Sequence, residues 1–200
     1  MRKTIFVFIA LVAAGVCIGL VRSCGGDETV RERFARQLTY AQMFEHQDQD
    51  FGYTLRYPSF FTAQPDSLQE EAGRARFVFN DEGVTVVVEG HVVRKNGLSL
   101  QEGMDSLAKM LHATERKLDK DGFTLSGPQY EEGSRISDYS YYSRFVANRK
   151  LWFVYTMVYP NDYKDVLGRM FKEIDEWQVW ERPKLQFKQA TSQAPRSVSE

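Results

Sequence analysis

The chain has 200 residues, of which 42% are hydrophobic and 14% aromatic, so it can fill the core of one domain without a metal or a disulfide. Its 26 basic and 27 acidic residues are interspersed and leave a formal net charge of -1, which gives no indication of the strongly basic patch of a nucleic-acid-binding protein. The two cysteines, Cys17 and Cys24, both precede the expected domain, so a disulfide framework is excluded there.

Residues 1–23 are expected to be a signal peptide or a membrane anchor. Arg2 and Lys3 precede an apolar run from Ile5 to Val21, the order typical of a secretory signal. The stretch Leu20-Val21-Arg22-Ser23-Cys24 resembles the lipobox of bacterial lipoproteins, which implies lipidation of Cys24. The alternative is an uncleaved anchor, because the apolar run is near the lower length limit for a membrane span. Either alternative places the domain on the extracytoplasmic side of a bacterial cell envelope, tethered to a membrane.

Residues 24–38 are expected to be a spacer followed by a short helix. Gly25-Gly26-Asp27-Glu28 is polar and flexible. Thr29 and Glu32 match a capping box, and apolar residues follow at helical spacing. Where this helix ends is left open, because residues 39–45 could equally be a first strand.

The stretch from Phe51 to Phe61 indicates a strand with a hard stop. Phe51, Tyr53, Leu55 and Tyr57 share one parity and therefore one face. Pro58 ends the strand, and the two phenylalanines after it are expected to turn into the end of a core. Residues 39–45, if extended, would pair with this strand across a polar turn at 46–50.

The middle of the chain predicts a loop, a hairpin and a helix. Residues 64–71 are polar and indicate the loop. Arg74–Phe79 and Val84–Val93 flank a turn that ends in Gly83, and Val84–Val88 is apolar on both parities, as in a strand covered on both faces. Ser99 and Glu102 form a second capping box before a helical apolar stripe.

The last part of the chain predicts a charged link, a strand, a hairpin and a final helix. The link is Arg116–Gly122 and the strand is Phe123–Tyr130. Ile136–Ala147 and Leu151–Tyr159 form the hairpin, closed by residues 148–150. Pro160 stops its second strand, Asn161 or Asp162 caps a helix over Tyr163–Trp177, and residues 183–200 indicate a disordered tail.

This order of elements predicts an α+β fold, an antiparallel sheet with helices on both faces. The motif Asp50-Phe51-Gly52-Tyr53-Thr54-Leu55-Arg56-Tyr57-Pro58, the helix opened by Ser99-Leu100-Gln101-Glu102, the hairpin from Tyr139 to Tyr159 and the last helix together resemble the PsbP-like superfamily. The resemblance covers about residues 39–180 and sets the domain at 39–182. It implies a three-layer α-β-α arrangement and a role in assisting a larger assembly, and it supplies no shared catalytic motif.

Metal and cofactor sites are not expected. His46, His91 and His112 are far apart and none has metal-ligand spacing, and His91 is expected at the polar edge of the sheet. Asp119-Lys120-Asp121-Gly122 lacks the later glycine and glutamate of a calcium loop and indicates a turn. Asp48-Gln49-Asp50 indicates hairpin chemistry.

Catalytic residues are not expected either. The sequence has no G-x-S-x-G elbow, P-loop or dinucleotide fingerprint, and Glu131 and Glu132 would point to opposite faces of a strand. The residue types that stand out are aromatic: Tyr139, Tyr141 and Phe145 on one face, with Tyr142 on the other. Whether they form core or interface is left open.

The sequence therefore favours a non-enzymatic, membrane-tethered envelope lipoprotein whose domain binds another envelope protein or assists an envelope assembly. The alternative is a small-ligand binder or hydrolase with a pocket between sheet and helix. No nucleic-acid partner and no cofactor are expected.

Overall fold

The first helix, α1, begins where its capping box predicts. The computed structural model describes residues 28–65, 73–148 and 150–179, and α1 covers Val30–Tyr40. The Thr29 hydroxyl accepts a hydrogen bond from the Glu32 N–H (3.2 Å), and the Glu32 carboxylate accepts one from the Thr29 N–H (2.9 Å). The apolar stripe packs into the core through Phe34 and Leu38, both buried.

A separate hairpin follows α1. Strand β1 (Met43–Gln47) pairs antiparallel with β2 (Thr54–Pro58), and the two form a small sheet of their own. Both alternatives for residues 39–45 therefore hold in part, since the helix ends at Tyr40 and the strand begins at Met43. Asp48 forms the turn by accepting a hydrogen bond from the N–H of Phe51 (2.6 Å), which confirms the predicted hairpin chemistry.

The strand with a hard stop is confirmed. Tyr53 and Leu55, which were expected to share one face, are both fully buried. The strand ends at Pro58. Phe61 then turns into the core end, where its ring centroid lies 6.4 Å from that of Phe34.

Seven strands form the main sheet in the order β3-β4-β5-β9-β8-β7-β6, and all neighbours are antiparallel. Their bounds are β3 Thr62–Ala63, β4 Ala75–Asp81, β5 Val84–Arg94, β6 Glu115–Leu118, β7 Gly122–Glu131, β8 Ser134–Asn148 and β9 Leu151–Pro160. The two predicted hairpins, β4-β5 and β8-β9, are confirmed. The most apolar strands, β5 and β9, pair with each other at the centre.

Two expectations about the elements are wrong. The charged link contains strand β6, whose four residues are all exposed at the sheet edge, so they carry no alternation of apolar and polar side chains. The final helix is broken: a 3₁₀ helix covers Asn161–Val166, and helix α3 covers only Gly168–Asp175. Neither Asn161 nor Asp162 caps it with a side-chain hydrogen bond.

Helices lie on both faces of the sheet, which confirms the predicted fold class. On one face α1, the β1-β2 hairpin, the 3₁₀ helix and α3 cover the large core, which includes Val86, Val88 and Tyr155. On the other face a single helix, α2 (Leu100–Met110), packs over Phe123 and Trp152. One short helix cannot cover a seven-stranded sheet, and the residues that the structure describes leave this second face partly open.

Candidate functional site

A groove of about 670 Å³ lies between α2 and the uncovered part of the second sheet face, open to solvent on one side. Its floor comes from β4, β5, β9, β8 and β7, and one wall is the C-terminal end of α2, including Leu107, Met110 and Leu111. The Met110 side chain is largely exposed at the rim. Open apolar surface of this kind is uncommon on a folded domain and indicates a binding site.

A polar row crosses the floor of the groove. The strand register places Arg76 opposite Glu89, Glu89 opposite Thr156, and Thr156 opposite Ser143. All four residues line the groove on four consecutive strands. Side chains two positions away along each strand share the same face, so the neighbouring rows can be read from the same register.

The rows on either side of the polar row are mainly apolar. One contains Val87, Val158 and Tyr141 in register. The other contains His91, Val154 and Phe145. The groove therefore combines an aliphatic and aromatic floor with one polar stripe, and the charged groups of that stripe lie at the β4-β5 end.

The charged end is organised around the carboxylate of Glu89. The Glu89 side chain is 13% exposed. Arg74 donates to its Oε2 at 3.0 Å, Arg76 Nε lies 3.9 Å from the same oxygen, and His91 Nδ1 lies 3.3 Å from Oε1. Burial raises the pKa of Glu89, but the contacts with His91 and Arg74 outweigh it and hold the pKa below its ordinary value. Glu89 is therefore a carboxylate at neutral pH.

Three buried polar atoms of the groove lack hydrogen-bond partners among the described residues. They are Nε of Arg76, Nδ1 of His91 and the hydroxyl of Tyr141. The His91 contact with Glu89 has the distance of an ion pair but not the direction of a hydrogen bond. Buried polar groups are nearly always hydrogen-bonded, so these three atoms are places where a water or a ligand group would complete the hydrogen bonding.

The hydroxyls in the middle of the polar row bind each other. Ser143 Oγ lies 2.8 Å from Thr156 Oγ1, and both side chains are at least partly buried. A nucleophilic serine needs a base within hydrogen-bond reach, and this partner is another hydroxyl. The hydrogen-bond partner of Ser143 among the described residues is therefore a hydroxyl and not a base.

The aromatic residues of β8 divide between core and groove. Tyr141 and Phe145 are buried, and burial raises the pKa of Tyr141 to about 12. Tyr139 lies at the far end of the groove, where its hydroxyl accepts a hydrogen bond from the Thr85 N–H (3.1 Å). Tyr142 lies on the opposite face and donates to Asp175 (2.6 Å). The predicted division of faces is confirmed, and core packing explains most of these rings.

The histidines and aspartates of the sequence analysis do not converge. The expectation that His91 lies at the edge of the sheet is wrong, because β5 is an interior strand and His91 faces the groove. His46 packs against Phe77 and His112 stacks on Tyr130. Asp119 and Asp121 form the predicted turn, and both bind Arg144. Within residues 28–65, 73–148 and 150–179, no three His, Cys, Asp or Glu side chains form a metal-binding group.

Sequence reasoning missed the polar row, although a signal for it exists. Glu89 and His91 stand in a run of valines, and Thr156 stands in an otherwise apolar strand. Polar residues at such central positions need partners, and register places them side by side. Cys24 and the segment 1–23 lie outside the described residues, and so does the tail 183–200. Among the helices that the structure describes, none is long and apolar enough to cross a membrane.

No protein-family model and no curated protein matches the sequence. Among solved structures, the chain is similar to the cyanobacterial PsbP protein CyanoP of Synechocystis sp. PCC 6803, with 15% identity and a TM-score of 0.49 over 70% of this chain and 94% of that one. It is also similar to the Saccharomyces cerevisiae Ran-binding protein Mog1p, with 11% identity and a TM-score of 0.48 over 70% of this chain and 96% of that one. Both are likenesses of overall architecture at low sequence identity.

Proposed function

We propose that this protein is a non-enzymatic binding protein, tethered by its N-terminus to a membrane on the extracytoplasmic side of a bacterial envelope, and that its groove holds a segment of another envelope protein. The observation that carries the proposal is the part of the second sheet face that α2 leaves uncovered. This surface is apolar, crossed by charged groups, and open on one side.

The open side favours a protein segment over a small molecule. Small-ligand sites usually enclose most of their ligand, about 70–90% of its surface. A groove open on one side would leave more of such a ligand in water. A segment of a larger protein does not need to be enclosed, because the side that faces away from the groove can pack against the rest of the partner.

Site-specific photocrosslinking in intact cells tests the partner. A photoreactive amino acid replaces Met110, which is 64% exposed at the groove rim, and in a second variant it replaces Tyr40, which is 83% exposed on α1 across the sheet. We expect discrete protein adducts from position 110 and none of the same mass from position 40. Absence of adducts at 110 would contradict the proposal.

The tether rests on the sequence of the N-terminus. A lipidated Cys24 predicts that Cys24→Ala abolishes incorporation of a labelled fatty acid and leaves a precursor of higher mass. With an uncleaved anchor, the variant would keep the mobility and the membrane fractionation of the wild-type protein. Either result is independent of what the groove binds.

A second candidate is a small-ligand binder at the same groove. The volume of about 670 Å³ lies inside the range of about 300–1,000 Å³ for ligand pockets, and three groove atoms lack hydrogen-bond partners among the described residues. The hydrolase form of this alternative has less support, because the Ser143 hydroxyl is paired with Thr156.

A further inference from the structure

We infer that the segment held in the groove presents a carboxylate to Arg76 and, two residues away in an extended conformation, an aliphatic side chain to Val87 and Val158. This inference rests on the proposed function and specifies the chemistry of the partner. It follows from three features of the groove: the long ion-pair contact of Arg76, the aliphatic row beside Arg76, and the distance between Arg76 and that row.

Of the two arginines that line the groove, Arg76 makes the longer contact with Glu89. Its side chain is 38% exposed, and its nearest ion-pair contact among the described residues is the 3.9 Å separation between its Nε and Glu89. That Nε is buried and has no hydrogen-bond partner among the residues that the structure describes. The same Glu89 oxygen already accepts a 3.0 Å hydrogen bond from Arg74, which is the stronger contact. A guanidinium in this state favours an incoming carboxylate.

A basic ligand group fits this end poorly. Glu89 could attract it, but that carboxylate is mostly buried and already contacts Arg74 and His91. An incoming cation would also approach the Arg76 guanidinium. The second carboxylate of the lining, Glu131, is on β7 at the hairpin end near Ser134, away from the β4-β5 end.

The row next to the Arg76 row is aliphatic. Val87 on β5 and Val158 on β9 face each other across the strand pair, and both line the groove. They lie two residues along their strands from Glu89 and Thr156, respectively. An apolar ligand side chain placed over them removes apolar surface from water, which is the main driving force for association.

The spacing of the rows selects an extended ligand. Two residues along a strand span about 6.6 Å, and alternate side chains of an extended peptide repeat at the same distance. Arg76 is on β4 and Val87 is on the adjacent strand β5. A peptide that lies along β5 can therefore place an aliphatic side chain over Val87 and, two residues away, an acidic side chain that leans across to Arg76. The predicted recognition pattern is Asp or Glu and Val, Ile, Leu or Met, separated by one residue, in either order.

Peptide display on the full-length protein tests the pattern. The protein is immobilised in detergent, and a library of random-sequence peptides is selected on the wild type, on Arg76→Glu and on Arg94→Glu. Arg94 is an exposed arginine at the end of β5 that does not line the groove, so its variant carries the same change of charge elsewhere. A photoreactive residue at position 110 reports whether a selected peptide occupies the groove.

We expect wild-type and Arg94→Glu proteins to enrich the acidic-x-aliphatic pattern and Arg76→Glu to lose it. A synthetic peptide from the selection should bind Arg76→Glu about tenfold or more weakly, the loss expected for one charge-assisted hydrogen bond. The peptide with its acidic residue changed to Lys should prefer Arg76→Glu over wild type. If Arg76→Glu fails to fold, the acid-to-amide change in the peptide measures the same contact on the wild-type protein.

The outcomes separate the inference from the proposed function. Peptides that crosslink to position 110 without an acidic preference would overturn the inference and leave the groove as a protein-binding site. If no peptide is enriched and laurate binds in a manner that depends on Arg76, the ligand is a small acid, and both the inference and the proposed protein partner are overturned.

Discussion

Gly103 of α2 lies directly on the indole ring of Trp152 in β9. A Cβ atom at position 103 would come within 2.3 Å of the Trp152 Cζ2 atom, and Trp152 is only 1% exposed. This contact seats the helix over the end of the sheet where Trp152 lies. Because α2 is held there, the rows that contain Glu89 and Val87 remain uncovered, and the groove exists.

Gly103→Ala is therefore expected to destabilise the protein despite the better helix propensity of alanine. Overpacking costs about 1–3 kcal/mol, while the propensity gain is about 1 kcal/mol, so the net loss should be about 1 kcal/mol. Gly168→Ala in α3 is the matched control, since a Cβ there meets no atom within 4 Å. The control should be neutral or stabilising in urea denaturation, and equal effects for both variants would contradict the close contact.

The helices and strands that the sequence predicted correctly are those whose signals are local. The capping box of Ser99 and Glu102 marks the start of α2, and two-sided apolar runs mark β5 and β9. Strand β6 was missed because Glu115–Leu118 buries no face, so its pairing with β7 through backbone hydrogen bonds leaves no pattern in the side chains.

The alternative function included a pocket between sheet and helix, but the residues that line the groove could not be predicted, because they depend on register between distant strands. Arg76, Glu89, Thr156 and Ser143 form one row only because β5 pairs with β9 and β9 with β8 in a particular alignment. The break in the last helix has a similar origin. The apolar spacing through Leu167 and Met170 persists across the 3₁₀ segment and α3, since both residues are buried, and the spacing alone does not reveal the change of helix type.

Replacing the single residue Arg144 should destabilise the protein strongly, because its charged side chain is buried and paired. Its side chain is 8% exposed. It donates to Asp119 (2.8 Å), to Asp121 (3.2 Å) and to the Trp177 carbonyl oxygen (3.2 Å). These three contacts join the β6-β7 turn to the residues after α3. Breaking a buried ion pair costs about 3–5 kcal/mol, and the partly exposed aspartates reduce the expected loss to about 2 kcal/mol.

Arg144→Met and Arg144→Lys should both show this loss in chemical denaturation. Methionine has no donor, and the single ammonium group of lysine cannot reach all three acceptors as the planar guanidinium does. Arg135→Met on the same strand removes an exposed arginine and is the control. Arg144→Lys with wild-type stability would show that the three acceptors are not held by the guanidinium geometry.

The ion pairs of Glu89 should make part of the stability depend on acidic pH. The folded-state pKa of Glu89 lies below its ordinary value of 4.5, so the unfolded chain takes up the proton first as the pH falls. The contribution of the Glu89 carboxylate to the free energy of unfolding is therefore complete above pH 4.5 and is lost as the pH falls through the folded-state pKa. The Glu89→Gln variant lacks this contribution at every pH.

The measurement is the urea midpoint of wild type and Glu89→Gln from neutral to acidic pH. The difference between the two proteins should shrink as the pH falls below 4.5, whereas Glu131→Gln, an exposed change at another part of the groove, should give a smaller dependence. A difference that stays constant or grows with acidity would show that Glu89 is not held as a stabilised carboxylate.

Two buried tyrosine hydroxyls should respond oppositely to removal. The Tyr155 hydroxyl donates to the Arg56 carbonyl oxygen, whereas the Tyr141 hydroxyl has no hydrogen-bond partner among the described residues. Removing a satisfied buried donor costs about 1 kcal/mol and leaves its acceptor unpaired, while removing an unsatisfied one relieves a desolvation penalty of about 1–3 kcal/mol. Tyr155→Phe should therefore lower the free energy of unfolding, and Tyr141→Phe should leave it unchanged or raise it.

Thermal denaturation of the two variants beside wild type tests this prediction. If Tyr141→Phe is as destabilised as Tyr155→Phe, the Tyr141 hydroxyl already has a partner within the folded chain.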